Sequence, residues 1–269
     1  MGAMADLHDR RGVLYPARLP SFHREPAPEK VSALIHWFWI PRWNLAPGRT
    51  SRQNLLPFPA SNLVVEPSGV SLAGPTSGAS HRDLHGRGWA VGALLRPAGI
   101  ASLTPDPRTI RDTDVPFDAS ELSRAISTAM SDDNETNARD HAVRANTAWA
   151  SEHLSPPDEG GLLANAMEDL ISSDRTVVRV DQVAARLSVS IRGVQRLARR
   201  YIGLPPLTVI RRYHLQEAAQ RLREDPALTI TEVAADLGYS DHAHFNTDFR
   251  HVLGFAPSAY RQEFDRRTR

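Results

Sequence analysis

The chain has no cysteine in its 269 residues, which excludes disulfide bridges, thiolate metal sites and any group transfer through a thiol. It also lacks an apolar run of 18 residues and a basic-then-apolar leading segment, so the expectation is a cytosolic protein with no membrane partner. Met1–Met4, MGAM, reads as a cloning remnant. No nucleophile–base pattern, phosphate loop or metal signature stands out; the sequence argues against an enzyme, and no catalytic residue, metal or cofactor is expected. A strong overall charge is missing too, at net +1, but the charge is uneven. Residues 179–269 hold 15 arginines against 10 acids, and the remainder is mildly acidic. That is the balance of a nucleic-acid-binding module joined to a domain with another task.

Two helix-turn-helix patterns are present, at residues 182–201 and 231–253. In the first, Val183, Ala184 and Leu187 mark a short helix, and Ser188 to Ser190 form a turn. Ser190 caps a second helix whose inner stripe is Val194, Leu197, Ala198 and Tyr201. Arg192, Gln195, Arg196 and Arg199 then share the opposite face at i, i+3, i+4 and i+7. Arginine pairs bidentately with guanine and glutamine with adenine, so this face can read base edges and bind phosphates. Arg199 and Arg200 read equally well as phosphate clamps or as a solvated face.

In the second pattern, Thr229 and Glu232 have capping-box spacing, Val233, Ala234 and Leu237 point inward, and Gly238 ends the helix. Ser240 or Asp241 starts the next helix, with Phe245, Phe249 and Leu253 inside. His244, Thr247 and Arg250 or His251 lie opposite, with His242 and Ala243 at the exposed first turn, a weaker and less cationic set. Between the two patterns, residues 207–224 form a helix entered through Pro205 and Pro206 and closed by Asp225 and Pro226. Ile210, His214, Ala218 and Leu222 face inward along it, so it can fix the separation of the two units. For one face of B-DNA that separation is about 34 Å, unless the duplex bends.

The run from Val180 to Gln262 resembles the DNA-binding domain of the AraC/XylS family of bacterial transcription regulators. The matching pieces are A-x-x-L-x-x-S at Ala184 to Ser190, Gln195–Arg196, the Gly203 to Pro206 corner, IxEVAxxLGYSDxxHFxxxFR at Ile230 to Arg250, and G-x-x-P-S-x-Y-R at Gly254 to Arg261. The resemblance implies that Arg192, Gln195 and Arg196 read bases from the first recognition helix, and Ala243, His244 and Thr247 from the second. Many members of the family carry arginine where this chain has Thr247 and His214. The first helix is therefore expected to discriminate between sequences, and His214 to be structural. A DNA-repair methyltransferase that uses an AraC-like domain for targeting would need a cysteine to accept the methyl group, and the missing thiol excludes that function.

Residues 13–117 read as mostly β, with apolar runs at Ala33 to Ile40, Asn62 to Val65, Val70 to Ala73 and Trp89 to Leu95 separated by PGRTS, EPSG and GPTSG. The W-F-W cluster at Trp37 to Trp39, L-P-x-P at Leu56 to Pro59 and R-P-x-G at Arg96 to Gly99 resemble an amino-terminal domain found in such regulators. The fold this implies is a cupin-like barrel that senses a small effector or dimerises. Residues 118–157 form a helical connector, with helices at Ser120 to Met130 and Ala138 to Leu154 around an SDDNETN loop at 131–137. Ser155 to Pro157 with Gly160 and Gly161 mark a hinge, and 160–266 form the tandem DNA-binding domain. The fold class is thus α+β in two domains.

Trp37 and Trp39 share one strand face and either pack in the core or wall an effector pocket. His36, His81 and His85 make a poor metal set, since i and i+4 on a strand are about 13 Å apart, and the latter two are expected in a solvated loop. Asp132 and Asp133 belong to the acidic loop. The functional expectation is promoter DNA binding by the tandem helices, with RNA polymerase, a small effector and a second copy of the chain as further partners. The alternative is constitutive DNA binding, with the barrel serving only as a dimerisation scaffold.

Overall fold

A computed structural model describes residues 21–55, 57–225 and 227–268, with only the backbone described for Asn54 and residues 263–268. The MGAM segment, residues 13–20, Leu56 and Pro226 lie outside the described residues. Strands β1 (Ser21–Pro26), β2 (Ile35–Asn44), β3 (Thr50–Leu55), β4 (Asn62–Glu66), β5 (Gly69–Ala73), β6 (Ser80–His85), β7 (Arg87–Trp89), β8 (Val91–Leu95) and β9 (Asp114–Pro116) make up the amino-terminal part. A short helix α1 (Pro97–Ala101) lies between β8 and β9. The carboxy-terminal helices are α2 (Ser120–Met130), α3 (Glu135–His153), α4 (Glu159–Ser173), α5 (Val180–Arg186), α6 (Ile191–Tyr201), α7 (Pro206–Glu224), α8 (Ile230–Asp236), α9 (His242–Leu253) and α10 (Pro257–Thr268).

The main sheet is antiparallel, in the order β1-β2-β8-β4-β5-β9 with β7 also paired to β2; β3 and β6 pair separately. The α+β expectation therefore holds, although among the described residues the pairing leaves the sheet open, with β1 and β9 at its ends. Its core face buries Phe38, Ile40, Leu63, Val65, Leu72 and Val91 under α2 and α3, which supply Leu122, Ile126, Ala138 and Ala142. Arg42 fastens this layer from the sheet side, donating from Nη2 to the carbonyl of Met130 at the end of α2 (2.6 Å). Glu135 to Asn137 lie inside α3 rather than in a loop, because Asn134 caps the helix by accepting from the N–H groups of Thr136 and Asn137. His81 and His85 likewise lie on β6, exposed, and not in a loop.

Two further cores carry the helical part. The first joins α4, α5, α6 and the front of α7 through Met167, Ile171, Val183, Val194, Ala198, Val209 and Ile210. The second joins the rest of α7 to α8, α9 and α10 through Leu215, Ala218, Leu222, Val233, Phe245, Phe249 and Tyr260. Helix α7 is therefore the spine of both units, and Ile210, His214, Ala218 and Leu222 are all buried, as their spacing predicts. The expected hinge glycines instead sit in the first turn of α4: a Cβ on Gly160 would lie 2.4 Å from the Tyr201 hydroxyl, and one on Gly161 3.1 Å from Ala98. Close packing on both sides, rather than backbone freedom, accounts for this pair.

Candidate nucleic-acid interface

The first helix-turn-helix closes on α5 and α6. Gln182 Oε1 accepts from the N–H groups of Val178 and Arg179, both at 2.9 Å, which starts α5. Ser188 turns the chain at φ 54°, and the next N–H, of Val189, returns to the carbonyl of Ala184 (3.0 Å). Ser190 caps α6 by accepting from Gly193 N–H at 3.0 Å. With Val194, Leu197, Ala198 and Tyr201 buried, Arg192, Gln195, Arg196 and Arg199 stand exposed together on the outer face. None of the four has a hydrogen bond or ion pair among the described residues, so their donors are available to a ligand.

Arg200 differs from these four. Its guanidinium lies over the Tyr201 ring at 5.2 Å and 4.0 Å from Asp158. Asp158 is itself the cap of α4, and the N–H of Gly161 and the hydroxyl of Tyr201 hold its carboxyl below the usual range. Arg200 thus lies toward α4, beside a cleft of about 420 Å³ lined by Leu163, Gly193, Leu197 and Arg196. Composition gave no sign of Ile191, which is 47% exposed at the tip of α6. An apolar side chain there suits a thymine methyl group. Its sequence signal is phase: it falls on the inner stripe but precedes the turn that covers that stripe.

The second unit repeats the backbone plan. Thr229 and Glu232 form the reciprocal capping box, and Gly238 turns at φ 75° with Tyr239 N–H returning to the carbonyl of Ala234 (3.0 Å). Asp241, rather than Ser240, caps α9, accepting from His244 N–H at 2.7 Å; that bond holds its carboxyl low. His242, Ala243, His244, Thr247 and Arg250 are all exposed. Several of these groups are already engaged within the helix. Thr247 Oγ1 donates to the Ala243 carbonyl (2.9 Å), His242 Nδ1 lies 3.0 Å from Asn246 Nδ2, and His244 Nε2 is 3.7 Å from Asp248. Asp248 also receives the Tyr239 hydroxyl at 3.4 Å and lies 4.0 Å from Arg211.

In the amino-terminal part, Trp37 and Trp39 share the face opposite Phe38 and Ile40, and both are half-buried. The Trp39 indole lies against Gly92, where a Cβ would stand 1.9 Å from its Cε2, and donates to Asn62 Oδ1 at 2.9 Å. Trp37 takes Arg24 over its ring and meets Phe58 edge-on at 5.5 Å, and Phe58 in turn meets Tyr213 of α7. Both indoles are thus engaged in packing contacts. His36 is bonded to Glu168 of α4, away from His81 and His85 on β6. Among the described residues, no helix is long and apolar enough to cross a membrane.

Comparison with known proteins places two families on the chain. Residues 183–263 match the family described as "Helix-turn-helix domain", and residues 23–116 match a "Domain of unknown function (DUF6597)". The HTH-type transcriptional activator RhaS of Escherichia coli (strain SE11) is 34% identical over 104 residues, which is 39% of this chain. The match spans only 36% of that relative's length. Among solved structures, an AraC-type regulator from Chromobacterium violaceum is 22% identical with TM-score 0.36, covering 38% of this chain and 91% of that one. ToxT from Vibrio cholerae O395 is 13% identical with TM-score 0.45, covering 83% and 96%. The tandem of capped helices is thus the stretch of the chain that matches a helix-turn-helix domain, residues 183–263.

Proposed function

We propose that the protein is a sequence-specific transcription regulator that lays α6 and α9 in successive major grooves of promoter DNA. One observation carries this reading: Arg192, Gln195, Arg196 and Arg199 are exposed on one face of a helix whose other face is sealed in a core. Five guanidinium donors in a fixed fork fit a guanine edge or a phosphate, and a carboxamide fits adenine. Affinity then falls with added salt, because each phosphate contact releases counterions. Binding of the native chain and R196A to a selected duplex and to random duplexes, at matched salt, tests the reading. Loss confined to the selected duplex supports base reading; equal loss on both removes it.

In this reading the amino-terminal domain alters promoter occupancy or polymerase contact by sensing a small effector or by dimerising. The packed setting of Trp37 and Trp39 argues against an effector held at those two rings, which leaves dimerisation as the alternative to test. Sedimentation of the full chain over a dilution series checks this: a mass that rises with concentration supports a dimer, and a monomer throughout contradicts it.

A further inference from the structure

Glu168, in the middle of α4, is a carboxylate only 1% exposed. Its two oxygens answer to different parts of the molecule. Oε2 lies 2.8 Å from His36 Nε2 on β2, and Oε1 accepts from the Tyr213 hydroxyl on α7 at 2.9 Å. One turn earlier on the same helix face, Asn165 Nδ2 donates to the Ala33 carbonyl (2.8 Å), and its Oδ1 accepts from Ala98 N–H (3.0 Å). Arg96 reaches Asp169 beside them. The row Trp37, Phe58, Tyr213 runs parallel, edge to face, from the sheet to α7.

Apolar contacts tolerate sliding, whereas a buried carboxylate with a distinct partner on each oxygen does not. Losing either partner leaves a desolvated polar group unanswered, so such a bridge specifies an arrangement more than it adds stability. The arrangement specified here concerns the spine. Tyr213 stands on α7 between Val209 and Ile210 in the first core and Leu215 and Ala218 in the second. The seat of its hydroxyl therefore sets how α7 leaves the first reading unit to carry the second.

We propose that Glu168 is a positioning residue that couples the amino-terminal domain, through His36, to the setting of α7, through Tyr213, and thereby to the spacing at which the two units meet DNA. The proposal rests on α6 and α9 acting as the readers. The test uses the full-length chain with two duplexes, one selected from a randomised library by the native protein and one of random sequence. His36→Phe and Tyr213→Phe each remove a hydrogen bond to Glu168, and neither residue lies on a recognition helix. Each lowers the selected-to-random affinity ratio by about fivefold, the loss expected for one hydrogen bond, while random-duplex affinity stays put. In a Glu168→Ala background neither has a further effect. Glu168→Gln, which keeps an acceptor for Tyr213 and offers a donor to a neutral His36 ring, restores most of the ratio.

If E168A does not fold, the H36F/Y213F double variant carries the comparison: a loss no larger than either single one supports the bridge, and additive losses contradict it. A ratio unchanged in both single variants overturns the proposal, even if melting shifts, because the bridge is then a packing contact only. A native chain that cannot tell the two duplexes apart overturns instead the reading of α6 and α9 on which the proposal depends.

Discussion

The two reading units share a backbone plan but differ in what they offer to DNA. On α6, four exposed side chains with no partner among the described residues present guanidinium and amide donors. On α9 the exposed set is a methyl group, two imidazoles, a hydroxyl already bonded to its own helix, and one guanidinium, that of Arg250 in the last turn. The units also differ in attachment. The core of the first includes α4, which Glu168 ties to β2 and Asn165 to Ala33 and α1, whereas among the described residues the core of the second is built from α7 to α10, and α7 reaches the amino-terminal part through Gln216 Nε2, which donates to the Pro57 carbonyl (3.1 Å). On the proposed function, similar folds divide the work, with the first specifying sequence and the second anchoring.

The separateness of the cores gives the largest expected effect. Phe249 is fully buried in the second core, and Phe249→Ala should cost about 3 to 5 kcal/mol. Hydrogen exchange then speeds up in α8 and α9 while α6 stays protected; equal acceleration in α6 would show one cooperative body. The next effect addresses the faces themselves. Arg196→Ala should cost about 1 to 3 kcal/mol at the specific site, and Thr247→Ala well under that, measured by titration on the same selected duplex. A Thr247 loss as large as that of Arg196 would break the asymmetry.

A smaller effect concerns the spine. Burial, opposed by a hydrogen bond to the backbone of Val177, pushes the His214 imidazole below its ordinary 6.5. The cleft beside it is lined by Asp174, Arg175 and Glu217. The unfolded chain takes up this proton first, so stability is intact above that value and is lost as the pH falls below it. Melting temperature should drop between pH 7.5 and pH 5.5, both approximate settings around that value, and His214→Gln should flatten the drop. The smallest effect compares the turns. Ser188 occupies the left-handed conformation that Gly238 occupies in the second unit, so Ser188→Gly should stabilise by about 0.5 to 1 kcal/mol in denaturant melts. Gly238→Ala should destabilise, since its Cβ would stand 2.7 Å from Val178.

What could be read from the sequence follows the physics of each element. Helix α7 and the inner stripes of α6, α8 and α9 were legible from their apolar spacing, and the caps of the last three agree with it: Ser190 and Thr229 as read, and Asp241 as one of two options. Strands β3 and β6 were not, because TSRQNL and SHRDLH pair as a polar, largely solvated ribbon with no apolar run to mark them. The start of α3 was hidden because Glu135 to Asn137 look like loop composition until Asn134 is recognised as a cap. Gly160 and Gly161 suggested freedom, but their neighbours Tyr201 and Ala98 are distant in sequence. The same distance hid Glu168, whose partner His36 lies 132 residues away. Local pattern gives caps and stripes; contacts between domains need the fold.

The asymmetry is tested most directly by measuring the binding of the full chain to every single-base substitution of the selected duplex, with the α6 half-site identified as the one whose preferences change in R196A. Penalties of about 1 to 3 kcal/mol clustered in that half-site, with much smaller ones opposite α9, are the predicted result. Equal penalties in the two halves, or larger ones opposite α9, would contradict the division of labour between the two units.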